Sequence, residues 1–204
     1  MSEGLIQIQR ALISVSNKEG LFELAAELAA KGVEIYSTGG TASALRAAGY
    51  TVIDVAEYTQ FPEMMHGRLK TLHPKVFGGI LARREEADDV AAMREHGILP
   101  FDLIVVNLYP FEVTVARPEC KFEEAIEQID IGGPSLLRAA AKNHAHVAVL
   151  CEPCQYQELI ESLKERGGTT LAMRRKLAAD AFGYTGCYDA AIAAYFAEQV
   201  NIAF

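Results

Sequence analysis

"RALISVSNKEGLFELAAELAAKGVEIYST", residues 10–38, decides the fold. Its first seven residues, "RALISVS", form an apolar run that ends in turn residues and read as a buried strand. "KEGLFELAAELAAKG" (18–32) then carries Leu21, Leu24, Ala25, Leu28 and Ala29 at helical spacing and stops at Gly32, and "VEIYST" (33–38) is a second strand. "GGTASALRAAGY" (39–50) opens a further helix directly from a glycine pair, and "TVIDV" (51–55) supplies a third strand. Strands joined through helices in this way build a parallel sheet, so the fold class is α/β.

The pattern continues downstream. "FDLIVVNLYPF" (101–111) is the strongest strand signal, "FEEAIEQ" (122–128) and "GPSLLRAAAKN" (133–143) read as helices, and "HVAVLC" (146–151) as the last strand. From Pro153 the chain turns helical, with Leu171, Ala178, Ala181, Phe182, Ile192, Tyr195 and Phe196 in the apolar pattern. The expected organisation is a sheet domain over 1–151 and a helical extension over 152–204, with no flexible linker between them.

A chain of 204 residues, half of them hydrophobic, can bury a real core. The opening residues lack a basic flank followed by an apolar run, and no stretch approaches the roughly 20 apolar residues of a membrane span, so a cytoplasmic protein is expected. A formal charge of −8 argues against a general nucleic-acid binder while leaving room for a local basic pocket for a small anion. Cys120, Cys151, Cys154 and Cys187 are too scattered for a disulfide framework. The single C-x-x-C, Cys151 and Cys154, lacks the second pair or histidine pair that a zinc site needs.

Ligands of open parallel sheets bind beyond the strands' carboxyl ends. Three such ends are polar: "SVSNK" (14–18), "STGGT" (37–41) and "NLYP" (107–110). "STGGT" fits an anion cradled by backbone N–H groups, or simply a helix N-cap. "HGRLKTLHP" (66–74) is polar in a hydrophobic chain; if it is extended, Arg68 and Lys70 share a side, with Pro74 resisting helix, as anion ligands or as a solvated basic loop. In "EQIDIGGPSLLRAAAKN" (127–143), Asp130 is a carboxylate ahead of a helix N-terminus or a turn residue, and Lys142 is a catalytic or a dipole-complementing lysine. His96, His144 and His146 show no convincing ligand spacing; His66 and His73 bracket the basic loop.

Together, "SVSNK", "STGGT", "GRLKTLHPKVFGGILARR", "NLYPF", "EQIDIGGPSLLRAAAKNH" and "VLCEP" resemble the inosine monophosphate (IMP) cyclohydrolase domain of the bifunctional purine-biosynthesis proteins that also carry a phosphoribosylaminoimidazolecarboxamide formyltransferase. The resemblance runs in order over essentially the whole chain. It implies a methylglyoxal-synthase-like α/β fold and dehydrative closure of the formamido-imidazole carboxamide ribotide to IMP, without metal, cofactor or covalent nucleophile.

By the same resemblance, Lys142 would donate and accept protons, with Lys70, Asp130 and Tyr109 completing the catalytic set. The nucleotide would touch Ser16, Asn17, Lys18, Thr38, Gly39, Gly40, Thr41, Arg68, Leu69, Thr71, Val106, Asn107 and Ile131. Asn17 stands where many members have aspartate, and Cys154 where an acidic or small residue is usual. A homodimer is implied, and the formyltransferase half is expected to lie outside these residues, since "EQVNIAF" (198–204) precedes the motif where it would begin. The alternatives are a methylglyoxal-synthase-like lyase and a non-catalytic nucleotide-sensing module.

Overall fold

The computed structural model describes residues 4–200; residues 1–3 and 201–204, the outer ends of the two expected segments, lie outside the described residues. Five strands form one sheet: β1 (Arg10–Val15), β2 (Glu34–Ser37), β3 (Ile53–Asp54), β4 (Leu103–Asn107) and β5 (Ala148–Leu150). Their order is β3-β2-β1-β4-β5 and every pairing is parallel. All five residues of β4 are buried, as are the three of β5. This two-sided burial explains why these strands read as continuous apolar runs rather than alternating ones.

Between the strands run α1 (Leu21–Ala30), α2 (Gly39–Ala47), α3 (Val55–Thr59), α4 (Pro74–Leu81), α5 (Ala87–Glu95), α6 (Phe111–Val115), α7 (Phe122–Glu127) and α8 (Gly132–Lys142). After β5 follow α9 (Tyr156–Arg166) and α10 (Leu171–Gln199). Helix α1 buries Leu21, Leu24, Ala25 and Leu28, four of the five residues its periodicity selects, leaves Ala29 exposed, and packs against β2 and α9. Helix α8 lies on β4 and β5 between α4 and α10. Helix α10 starts from Thr170, whose hydroxyl accepts the Met173 N–H, and buries Met173, Leu177, Ala178 and Ala181 in its first half. Phe182 and Phe196 are exposed instead of joining the apolar stripe.

Four short helices were not legible. Pro74, expected to resist helix, occupies the first position of α4, where its missing N–H costs nothing, and the His73 ring caps the helix by accepting the Lys75 N–H. Helices α3, α5 and α6 bury at most two residues each and so leave little periodic signal. The third strand shrinks from the expected 51–55 to two residues at the sheet edge.

The edge that starts the strands is closed by buried charge. The Asp102 carboxylate accepts the N–H groups of Gln9 and Arg10 and a 2.6 Å bond from Arg84. Arg174, essentially inaccessible to solvent, donates only to oxygens of Gly4, His144, Ala145 and Thr169. The opposite edge is open and holds the polar strand ends.

Candidate active site

At the carboxyl edge, β1 and β4 are bracketed by Asn107. Its Oδ1 accepts from Ser16 N (2.7 Å) and Asn17 N (2.8 Å), and its Nδ2 donates to Asn17 O. The expected nucleotide contact is thus a clamp whose amide is spent on the 16–17 backbone, holding Ser16 and the exposed Asn17 and Lys18 at the rim. Asn17 Oδ1 accepts the Glu19 N–H, a turn that an aspartate would make equally well. Thr41 is also committed: buried, it bonds both N–H and C=O of Val15.

Helix α2 begins at Gly39 (φ 55°), and the Thr38 side chain does not cap it. The first N–H groups of α2 therefore face the rim with no side-chain acceptor, the electrostatic setting that favours an anion. Lys70 Nζ reaches this point: it lies 3.9 Å from where a side-chain carbon on Gly39 would begin.

The segment that delivers Lys70 is not extended, which corrects the sequence reading. Met65, His66 and Gly67 all adopt left-handed φ (55°, 55° and 87°), making a tight loop closed by mutual backbone bonds between Met64 and Leu69. Arg68 pairs with Glu127, both exposed. Leu69 contributes its backbone, and buried Thr71 faces Gly132, its Oγ1 3.0 Å from where a Cβ there would sit.

Asp130 ends the loop before α8. Its Oδ1 accepts the Gly133 N–H at 2.8 Å, and a Cβ on Gly133 would come within 2.6 Å of both Asp130 Oδ2 and Leu108 Cδ2, so only glycine permits this approach. Burial lifts the Asp130 carboxyl above the ordinary aspartate range, against the opposing effects of the Gly133 N–H and the Lys70 charge. Next to it, Ile131 is 61% exposed, Tyr109 is exposed at the end of β4, and Val106 is buried within β4, leaving only its backbone available.

Lys142 is not brought to this cluster within one chain. It is the last residue of α8, ten residues after Gly132, and a helix rises about 1.5 Å per residue, so about 15 Å separates the two ends. Its neighbour Asn143 donates to the carbonyls of Ile80 and Ala82 at the end of α4, and His144 O accepts from Arg174, which places it at the opposite edge of the sheet. A helix that starts at the carboxyl edge and packs along the strands must end at the other.

Sequence reasoning missed two tyrosines of α10. Leu108 N donates to Tyr184 Oη at 3.3 Å and Asp130 N to Tyr188 Oη at 2.8 Å. With Ser16, Asn17, Tyr109, Cys151 and Cys187 they line a cleft of about 520 Å³ at the carboxyl ends of β1, β4 and β5. The i, i+4 spacing of the two tyrosines on one helix face was the available signal. In the C-x-x-C, Cys151 is buried with its thiol pushed up to about 12 by burial and Cys154 is exposed; no metal-holding cluster occurs among the described residues.

Residues 20–135, which include β2, β3 and β4 of the open parallel sheet and the loops carrying Lys70 and Asp130, match the MGS-like domain family. The chain belongs to the MGS-like domain family. Residues 140–204 match a second family, the AICARFT/IMPCHase bienzyme.

Relatives named bifunctional purine biosynthesis protein PurH bear out the resemblance over its full extent. That of Rhodopirellula baltica is 56% identical over 94% of this chain, that of Parvibaculum lavamentivorans 53% over 96%, and that of Streptococcus mutans 53% over 95%. The chain spans 36–38% of the length of these relatives. The crystal structure of ForH is 38% identical and superposes with a TM-score of 0.81 over 93% of this chain and 99% of its own. Among the described residues no helix is long and apolar enough to cross a membrane.

Proposed function

We propose that this chain is an IMP cyclohydrolase, closing the formamido-imidazole carboxamide ribotide to IMP with release of water. The observation that carries the reading is the convergence of the uncapped α2 N-terminus, Lys70 and Asp130 at one sheet edge, in a chain more than half identical to purine-biosynthesis proteins.

The ribotide phosphate sits on the N–H groups of Gly39, Gly40 and Thr41, with Ser16, Lys18 and Thr38 beside them. The carboxamide nitrogen attacks the formyl carbon, forming the new C–N bond. Asp130, whose raised pKa makes it a better proton acceptor than an ordinary aspartate, takes the proton from that nitrogen. Lys70 stabilises the negative charge developing on the formyl oxygen, with Tyr109 beside it. That oxygen gains one proton to become a hydroxyl and a second to leave as water, while the former formamide nitrogen loses its proton to form the ring C=N bond. Because closure is intramolecular, holding the two arms in contact supplies much of the rate.

Lys142, which the resemblance makes a proton donor and acceptor, enters this scheme from a second copy of the chain in a homodimer. Mixing Lys142→Ala with Asp130→Asn chains is expected to restore part of the turnover through mixed dimers, and mixed dimers without any restoration would remove that role for the second copy. The two-part organisation, a catalytic domain over 1–151 supported by 152–204, belongs to the same proposal, as does a cytoplasmic setting and a covalently joined formyltransferase in the longer relatives.

Conversion of the purified ribotide to IMP, followed by absorbance with the chain alone, tests the reading. Turnover is expected. Binding without turnover would favour a sensing module, and phosphate release from dihydroxyacetone phosphate a methylglyoxal-synthase-like lyase.

A further inference from the structure

Two side chains of α10 reach the carboxyl edge from a part of the chain that carries none of the expected site residues. Tyr188 is the more consequential. Its Oη accepts the Asp130 N–H at 2.8 Å while its own hydrogen goes to Gln128 O at 3.2 Å, so one phenol spans the turn immediately before α8. From the other side, the Asp130 carboxylate accepts the Gly133 N–H. The residue is thus fixed at its backbone by α10 and at its side chain by α8. One turn earlier on α10, Tyr184 accepts the N–H of Leu108, the residue whose side chain lies against Gly133.

We infer that Tyr188 is a positioning residue for the cyclohydrolase reaction, holding Asp130 in the desolvated place from which it accepts the substrate proton, with Tyr184 securing the wall behind it. The inference rests on the role proposed for Asp130. The ring of Tyr188 also packs on Phe111, so its hydroxyl is aimed rather than free to rotate away. Burial raises the phenols of both tyrosines, which keeps each a neutral hydroxyl able to accept from one backbone group, and Tyr188 able to donate to another.

The charged and titratable groups facing Asp130 are Lys70 from the basic loop and Tyr184 and Tyr188 from α10; Tyr188 also faces Asp189, and Tyr184 faces Cys151 and Glu152. Without the Tyr188 hydroxyl, the N–H of Asp130 and the carbonyl of Gln128 must find water, which draws the loop outward and hydrates the carboxylate. Its pKa then falls towards the ordinary value, and the acid limb of kcat moves to lower pH.

The test compares Tyr188→Phe, Tyr184→Phe, Asp130→Asn and, as a control for loss of an α10 hydroxyl remote from Asp130, Tyr195→Phe in the full chain. Turnover of the formamido ribotide is measured across pH, with IMP binding and thermal melting beside it. Tyr188→Phe is expected to lower kcat about tenfold with KM within about twofold and to shift the acid limb down, while Tyr195→Phe does neither. Unchanged kcat and acid limb in Tyr188→Phe, with Asp130→Asn inactive, would overturn the inference alone. A lowered melting temperature with an unmoved acid limb would overturn it as well, marking a structural role. Full activity of Asp130→Asn would overturn the role of Asp130 itself and this inference with it. If Tyr188→Phe melts too low to assay, a downward shift of the limb in Tyr184→Phe supports the inference and an unmoved one overturns it.

Discussion

Replacing Arg174 with methionine removes the most heavily bonded buried side chain of the closed edge. The guanidinium is 1% exposed and makes five bonds of 2.6–3.2 Å, to Gly4 O, His144 O, Ala145 O, Thr169 O and Thr169 Oγ1, with no carboxylate among them. Burial accordingly pulls its pKa below the usual arginine value. At roughly 1.5 kcal/mol each, five bonds to a charged donor amount to about 7 kcal/mol. Relief from burying the cation returns several kcal/mol of that, and methionine keeps the aliphatic stem packed, leaving a net loss of about 3–4 kcal/mol. For a chain of this size that is a fall of roughly 6–16 °C in melting temperature. Arg174→Lys, with three donors in place of a planar fork, should fall between parent and Met variant. Urea unfolding followed by circular dichroism gives the difference directly. A Met variant within about 1 kcal/mol of the parent would refute the reasoning, showing that the carbonyls find other donors.

Three further outcomes follow from the site. Asp130→Asn should raise stability at neutral pH while lowering activity: with the folded pKa above the ordinary 3.8, the native state holds the proton longer than the unfolded chain. Stability therefore drops as pH rises through that interval, and the charge destabilises above it. Melting at pH 7 and below pH 4 checks this, the difference vanishing at the acid end. Met65→Gly, at an exposed left-handed position, should stabilise the loop by about 1 kcal/mol, read in the same melts. Thiol labelling followed by mass spectrometry at pH 8 should modify the exposed Cys154 and Cys187 first and Cys151 only on unfolding, since burial pushes its thiol up to about 12.

The alternation from β1 to α2 was legible because buried parallel strands and a helix as regular as α1 leave strong, different periodicities. Helices α3 to α6 were not, because pieces of five to nine residues resting on the surface carry little pattern, and Pro74 starts a helix as readily as it breaks one. Of the site, the polar strand ends could be read from the sequence because strand topology fixes which loops share an edge, whereas Lys70 and Asp130 were singled out as catalytic only through the resemblance. The loop geometry at 65–67 could not, since two non-glycine residues in the left-handed region have no sequence signature. Lys142 stands apart for a different reason: ten helical residues carry it across the sheet from Asp130, so nearness in sequence is not nearness in space within one chain. Asn107 looked like a ligand group but is consumed by the backbone of Ser16 and Asn17, a use visible only once β1 and β4 are neighbours.

The central claim is that ring closure happens between Lys70 and Asp130 at the carboxyl edge. Its most direct test is the turnover of the formamido ribotide to IMP by Lys70→Ala and Asp130→Asn, with IMP binding measured on the same preparations. The account predicts a loss of about a hundredfold or more in kcat for Asp130→Asn with IMP still bound, and weakened binding together with lost turnover for Lys70→Ala. Turnover within a few-fold of the parent in either variant, with the fold intact, would contradict it.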